Sequence, residues 1–145
     1  MLPYMITTLS AFYDEDDAYF VNVTTGGFGL RLRDNQSHLK YITALLNTQL
    51  LDWFLKKVST TFHGGYFAAN KQFLAQLPIR LIDFTDPGDR AEHDALVALV
   101  DRILKAKRSD GAADTAALER EIDERVYRLY GLTADEVKIV EEAGK

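Results

Sequence analysis

Cysteine is absent from this 145-residue chain. Disulfides, thiolate nucleophiles and cysteine-ligated zinc are therefore excluded, and a reducing cytoplasm is the expected home. No apolar run reaches the roughly 18 residues that a membrane helix requires, so no membrane partner is expected. The N-terminus, MLPYMITTLS, lacks the basic stretch that opens a secretory signal. No two histidines stand at metal-ligand spacing, and no glycine loop runs into a Lys-Ser/Thr helix start of the kind that cradles nucleotide phosphates. These absences weigh against an autonomous enzyme and against a small-molecule substrate. The composition, 47% hydrophobic and 27% charged, suits one domain with a real core, or a small domain plus a helical appendage. The chain opens directly in what reads as a strand, which suggests a segment of a longer protein.

The net charge of −5 argues at first sight against a polyanionic partner. Its distribution argues differently. Residues 1–30 carry −4, residues 31–80 carry +5 and residues 81–145 carry −6. A basic middle between acidic flanks can form a local phosphate-facing patch, or simply a mixed surface.

Residues 4–13, YMITTLSAFY, are β-branched and aromatic and predict a strand. Tyr19 to Val23 predict a second. Asp14 to Asp17 between them read as a solvated turn. A carboxylate metal site is the weaker alternative, because neighbouring strand residues point to opposite faces. Thr24 to Gly29 read as a turn, or as a loop whose amides meet a phosphate. Ser37 is a good helix N-cap. Leu39, Ile42, Leu45 and Leu46, then Leu50, Trp53, Phe54 and Val58, follow helical spacing. Asn47 and Thr48 interrupt that stripe and predict two short helices. Trp53 and Phe54 are read first as core and second as ligand-stacking residues.

Ser59 to Asn70 predicts a loop rich in polar groups, with Gly64 and Gly65 allowing close backbone approach. Such side chains read base edges or hold phosphates. His63 has no nucleophile beside it and fits a structural or binding role better than a catalytic one. Asn70 is expected to cap a helix over Lys71 to Gln76, which Pro78 stops, and Ile79 to Ile82 to form a closing strand. From Asp86 the character changes. Ala91 to Arg108 predicts a helix with Leu96, Leu99, Val100, Ile103 and Leu104 on one side. Asp114 or Thr115 should cap a second, carrying Leu118, Ile122, Val126 and Leu129, with Gly131 as its C-cap. Thr133 and Glu136 match a capping box for a last helix over Ala134 to Glu142, so the nuclease-like triplet Glu136-Val137-Lys138 is a coincidence. The expected class is α+β: a small antiparallel or mixed sheet with short helices over residues 1–85, then a helical hairpin and short last helix over residues 86–145.

In that order, LLNTQLLDWFLKKVS, HGGYFAANKQFLAQLPI and EREIDERVYRLYGLTADEVKIVEE resemble the TaqI-like C-terminal specificity domain of restriction-modification enzymes, above all the single-chain type IIG kind. The resemblance implies an upstream methyltransferase domain that binds S-adenosylmethionine and methylates adenine through an Asn-Pro-Pro-Tyr/Phe motif, which this chain lacks. Where present, a metal-dependent nuclease, Mg²⁺ being the expected ion, would also lie upstream. This segment would be the distal part of the target recognition domain, with double-stranded DNA and those same-chain domains as partners, and with no catalytic residue or metal ligand of its own. Base contacts do not carry over within the family. From position and chemistry, His63, Tyr66, Asn70, Lys71 and Gln72 are the candidates to touch bases. Arg31, Arg33, Lys56, Lys57, Thr60 and Thr61 are the candidates for phosphates. A protein-interaction module, with residues 86–142 packing on another domain or subunit, is the alternative.

Overall fold

The structure is a computed structural model that describes residues 2–3, 5–14, 27–33 and 38–144. Its class is α+β, as the sequence predicts. Strands β1 (Leu2–Pro3) and β3 (Gly27–Phe28) form an antiparallel pair. Strands β2 (Met5–Ile6), β5 (Tyr66–Ala68) and β4 (Thr61–Phe62) form a three-stranded antiparallel sheet in the order β2-β5-β4. The helices are α1 (Leu39–Leu46), α2 (Gln49–Val58), α3 (Lys71–Leu74), α4 (Pro87–Ser109), α5 (Ala116–Leu129) and α6 (Ala134–Ala143).

The break between α1 and α2 falls where Asn47 and Thr48 predict it. Thr48 is buried, donates its hydroxyl to the Leu45 carbonyl at 2.7 Å and caps α2. Its side chain thus ends one helix and starts the next. Leu45, Leu51, Leu55, Leu96 and Val126 are essentially inaccessible and belong to one apolar cluster. That cluster joins both halves of the chain, because α4 lies along α1 while α5 and α6 cover α2.

One expected strand is cut short and another does not form, for one shared reason. Among the described residues, 5–13, pairing is limited to Met5–Ile6; beyond them, side chains of the α1–α2 break and of α2 take the backbone groups. The Asp52 carboxylate accepts the Leu9 N–H at 2.6 Å. Asn47 accepts the Ala11 N–H at 3.0 Å and donates to the Ala11 carbonyl at 2.9 Å. Ile79–Ile82 is likewise held by side chains instead of a ladder. Tyr130 accepts the Arg80 N–H at 3.1 Å and donates to the Pro78 carbonyl at 2.6 Å, while Tyr41 donates to the Arg80 carbonyl at 2.7 Å.

Helix ends differ less. α3 stops at Leu74, short of Gln76, and α4 begins at Pro87, a turn earlier than Ala91, because Asp86 caps it and proline is tolerated at the first helical position. His38 caps α1. Ser37, the strand predicted at Tyr19 to Val23, Glu15 to Asp17 and Thr24 to Gly26 lie outside the described residues. Gly131 has φ +70° and ends α5, with the Leu132 N–H on the Tyr127 carbonyl and the Gly131 N–H on that of Arg128. The capping box of Thr133 and Glu136 is present, and the N–H and hydroxyl of Thr133 hold the Glu136 carboxyl below its ordinary value.

Candidate nucleic-acid interface

The stretch expected to be a loop, Ser59 to Asn70, is a β-hairpin whose strands are too short to announce themselves by alternation. Thr61 faces Phe67 and Phe62 faces Tyr66 across it. The three-residue turn His63-Gly64-Gly65 needs two residues in the left-handed region, and both glycines are there, at φ +82° and +77°. The stem is tied by the Ser59 hydroxyl donating to the Ala68 carbonyl at 2.6 Å, and by the Ala68 N–H on the Thr60 carbonyl. From Thr60 to Tyr66 every residue is exposed.

This hairpin sits between the C-terminus of α2 and the N-terminus of α3, so nine of the eleven candidate residues share one continuous unit. Lys56 and Lys57 occupy the last turn of α2. The Lys56 ammonium pairs with Asp52 at 2.6 Å and stands 5.7 Å from the Phe67 ring centroid. The Lys57 ammonium stands 5.6 Å from the Trp53 ring centroid and is exposed. Trp53 is half-buried and also lines a cavity of about 220 Å³ with Lys56, Lys57, Phe67 and Val140. Its indole Nε1 is buried without a hydrogen-bond partner among the described residues. Asn70 caps α3, its side-chain oxygen accepting the N–H groups of Gln72 at 3.0 Å and Phe73 at 3.3 Å. Lys71 and Gln72 follow, both exposed. Arg31 and Arg33 are exposed too, but they follow β3 and stand outside the hairpin unit; Arg31 lines another cavity, with Leu2, Phe12 and Leu39.

One feature of charge runs through the unit. No acidic residue occurs between Asp52 and Asp83, a span that holds Lys56, Lys57, Lys71 and Arg80. Asp52 engages Lys56, and Asp89 engages Arg80 at 3.2 Å. Lys57 and Lys71 have no acidic partner among the described residues. Sequence reasoning missed Phe62 and the pairing of Tyr66 with it, because the register that puts them side by side is visible only once the turn is known. Among the described residues no group of three or more His, Asp or Glu is placed to hold a metal ion, and no helix is long and apolar enough to cross a membrane.

A short sheet, a two-helix base and an exposed, acid-free hairpin make up this unit. Residues 1–79 match the family model of the TaqI-like C-terminal specificity domain, and the chain belongs to that family. It is also similar to the type II restriction enzyme and methyltransferase RM.Eco57I of Escherichia coli, 25% identical over 92 residues. That alignment takes in 61% of this chain and 9% of the relative, so the chain spans under a tenth of the relative's length. No solved structure matches.

Proposed function

We propose that this chain is the part of a type II restriction-modification polypeptide that recognises double-stranded DNA, with its hairpin unit as the DNA-facing surface. Methylation of adenine with S-adenosylmethionine, and any Mg²⁺-dependent cleavage, belong to other domains of the same polypeptide, in a prokaryotic cytoplasm. Residues 1–85 face the duplex and residues 86–145 brace them from behind. The observation that carries this reading is the acid-free span from Trp53 to Ile82, in a chain of net charge −5, bearing the exposed hairpin. A duplex presents a dense line of phosphates, and lysines that neutralise them release counterions.

The structure's ion pairs sharpen the candidates. Lys57 and Lys71 are the phosphate ligands this surface offers most freely, with Thr60 and Thr61 beside them. Asn70 spends its oxygen on the cap, leaving its amide hydrogens to accompany Gln72, His63 and Tyr66 toward bases. The test is a pair of variants in the full polypeptide. Lys57→Ala should weaken binding by a similar factor on all sequences. Gln72→Ala should change which sites are methylated, by about 1–3 kcal/mol at one position. Unchanged affinity in the first and unchanged site choice in the second would remove this surface from the interface.

The second reading, an assembly module, draws on the acidic segment from residue 81 onward, where Leu81 is 74% and Ile139 is 56% exposed. It is compatible with the first, since those side chains stand on elements other than the hairpin.

A further inference from the structure

Three large apolar side chains are left exposed on one face of the three-stranded sheet. Phe62 and Tyr66 are direct cross-strand partners, so their side chains leave the hairpin on the same side. Ala68, two residues beyond Tyr66, points the same way, and Met5 is paired with it across β2. Ala68 is buried, while Phe62, Tyr66 and Met5 are 42%, 44% and 43% exposed. The opposite face carries Ile6, which is buried, and Phe67, which packs on the core. The sheet therefore buries one apolar face and presents another.

Two facts favour a nucleic acid as what meets that presented face. Phe62 and Tyr66 belong to the acid-free span, with Lys57 just before the hairpin and Lys71 just after it, a charge pattern complementary to a polyanion. The shape also fits, because a two-stranded ribbon with a narrow turn is one of the few elements a major groove admits. The tip is narrow because Gly64 and Gly65 carry no side chains, and the Tyr66 ring lies beside Gly64, where an added Cβ would be 3.6 Å from it.

In an intact duplex the base faces are stacked, and the one apolar group displayed in the major groove is the thymine 5-methyl. We infer that Phe62 and Tyr66 form an apolar reading pair that contacts a thymine 5-methyl group, and so specify an A·T pair at one position of the recognised site. This rests on the hairpin facing DNA, and adds that the discrimination there comes from burying a methyl group and owes little to hydrogen bonds. Phe62 is a specificity-determining residue on this account, and Lys57 and Lys71 hold the register.

The test uses the full polypeptide and its own site, selected from a random duplex library. Each thymine of the site is replaced in turn by deoxyuridine, which deletes the methyl group alone. The parent should lose about three- to tenfold in affinity at one position. Phe62→Ala and Tyr66→Ala should bind the thymine site more weakly and no longer distinguish thymine from uracil there, while Phe62→Leu keeps part of the distinction. Lys57→Ala should weaken both duplexes equally and preserve it. If Lys57→Ala weakens binding but the Phe62 and Tyr66 variants keep the parent's thymine-to-uracil ratio, the methyl contact is refuted while the DNA-facing surface stands. If those variants instead lower the melting temperature of the full polypeptide and leave the ratio intact, the pair packs on a neighbouring domain and the inference is equally refuted. If Lys57→Ala has no effect on any duplex, the DNA-facing surface itself fails.

Discussion

Asp123 shows what burial does to a single carboxyl. It is 9% exposed on α5, where it accepts the backbone N–H of Gln49 at 2.9 Å and the Gln49 side-chain amide at 3.0 Å. Burial raises its pKa, outweighing those hydrogen bonds, and the charges of Glu141 and Glu119 push the same way. The folded state therefore keeps this proton at pH values where the unfolded chain has released it. The contribution of Asp123 to stability is greatest below the ordinary carboxylate range. It declines as pH rises from about 4 through the raised folded value. Asp123→Asn keeps an acceptor for the Gln49 N–H and removes the titration. Urea midpoints across this range should show the parent losing stability relative to Asp123→Asn as pH rises. A relative gain would contradict the burial argument. Asp52, similarly enclosed, has Lys56 and the Leu9 N–H within 2.6 Å and does a different job, fixing the N-terminal segment to α2.

At the scale of the element, what could be read from sequence separates cleanly from what could not. The α1–α2 break, the α5 C-cap and the α6 capping box are each decided by residues within five positions of one another, so the local pattern sufficed. The missing strands over residues 7–13 and 79–82 were decided by Asn47, Asp52, Tyr41 and Tyr130, some 36 to 52 positions away. Strand propensity describes a backbone that wants partners; it does not say whether a ladder or a side chain supplies them. The hairpin was hidden for the opposite reason, since two- and three-residue strands are too brief for alternation, and only the glycine pair hinted at a turn. The cap at Gly131 offers a direct check. A Cβ there would meet nothing within 4 Å, so the cost of Gly131→Ala is backbone strain alone. We expect about 1–2 kcal/mol less stability in urea, and a smaller loss for Gly131→Asn. No loss for the alanine variant would mean that the left-handed cap is not held in solution.

The whole molecule has one core that both ends of the chain build, and the proposed DNA-facing surface is mounted on it. α1 contributes Leu45, α2 Leu51 and Leu55, α4 Leu96 and α5 Val126 to one apolar cluster. Such a core should unfold as one unit. Trp53 is the sole tryptophan and reports on α2, whereas far-UV circular dichroism is dominated by the long helices α4 and α5. The two signals should give the same urea midpoint; separate transitions would show that the C-terminal helices are an independent appendage. The division of labour proposed for the two halves, recognition over residues 1–85 and bracing over 86–145, is then one of surface and not of folding. The net-positive segment, residues 31–80, falls within the first half, and the larger acidic surplus, that of residues 81–145, falls almost wholly within the second.

On the proposed surface, Lys57 and Lys71 meet phosphates. The most direct measurement is the salt dependence of DNA binding by the full polypeptide with both lysines replaced by alanine. Each phosphate contact contributes about one to the slope of log affinity against log salt concentration. The slope should become shallower by about two. An unchanged slope would mean that the hairpin unit does not face the duplex.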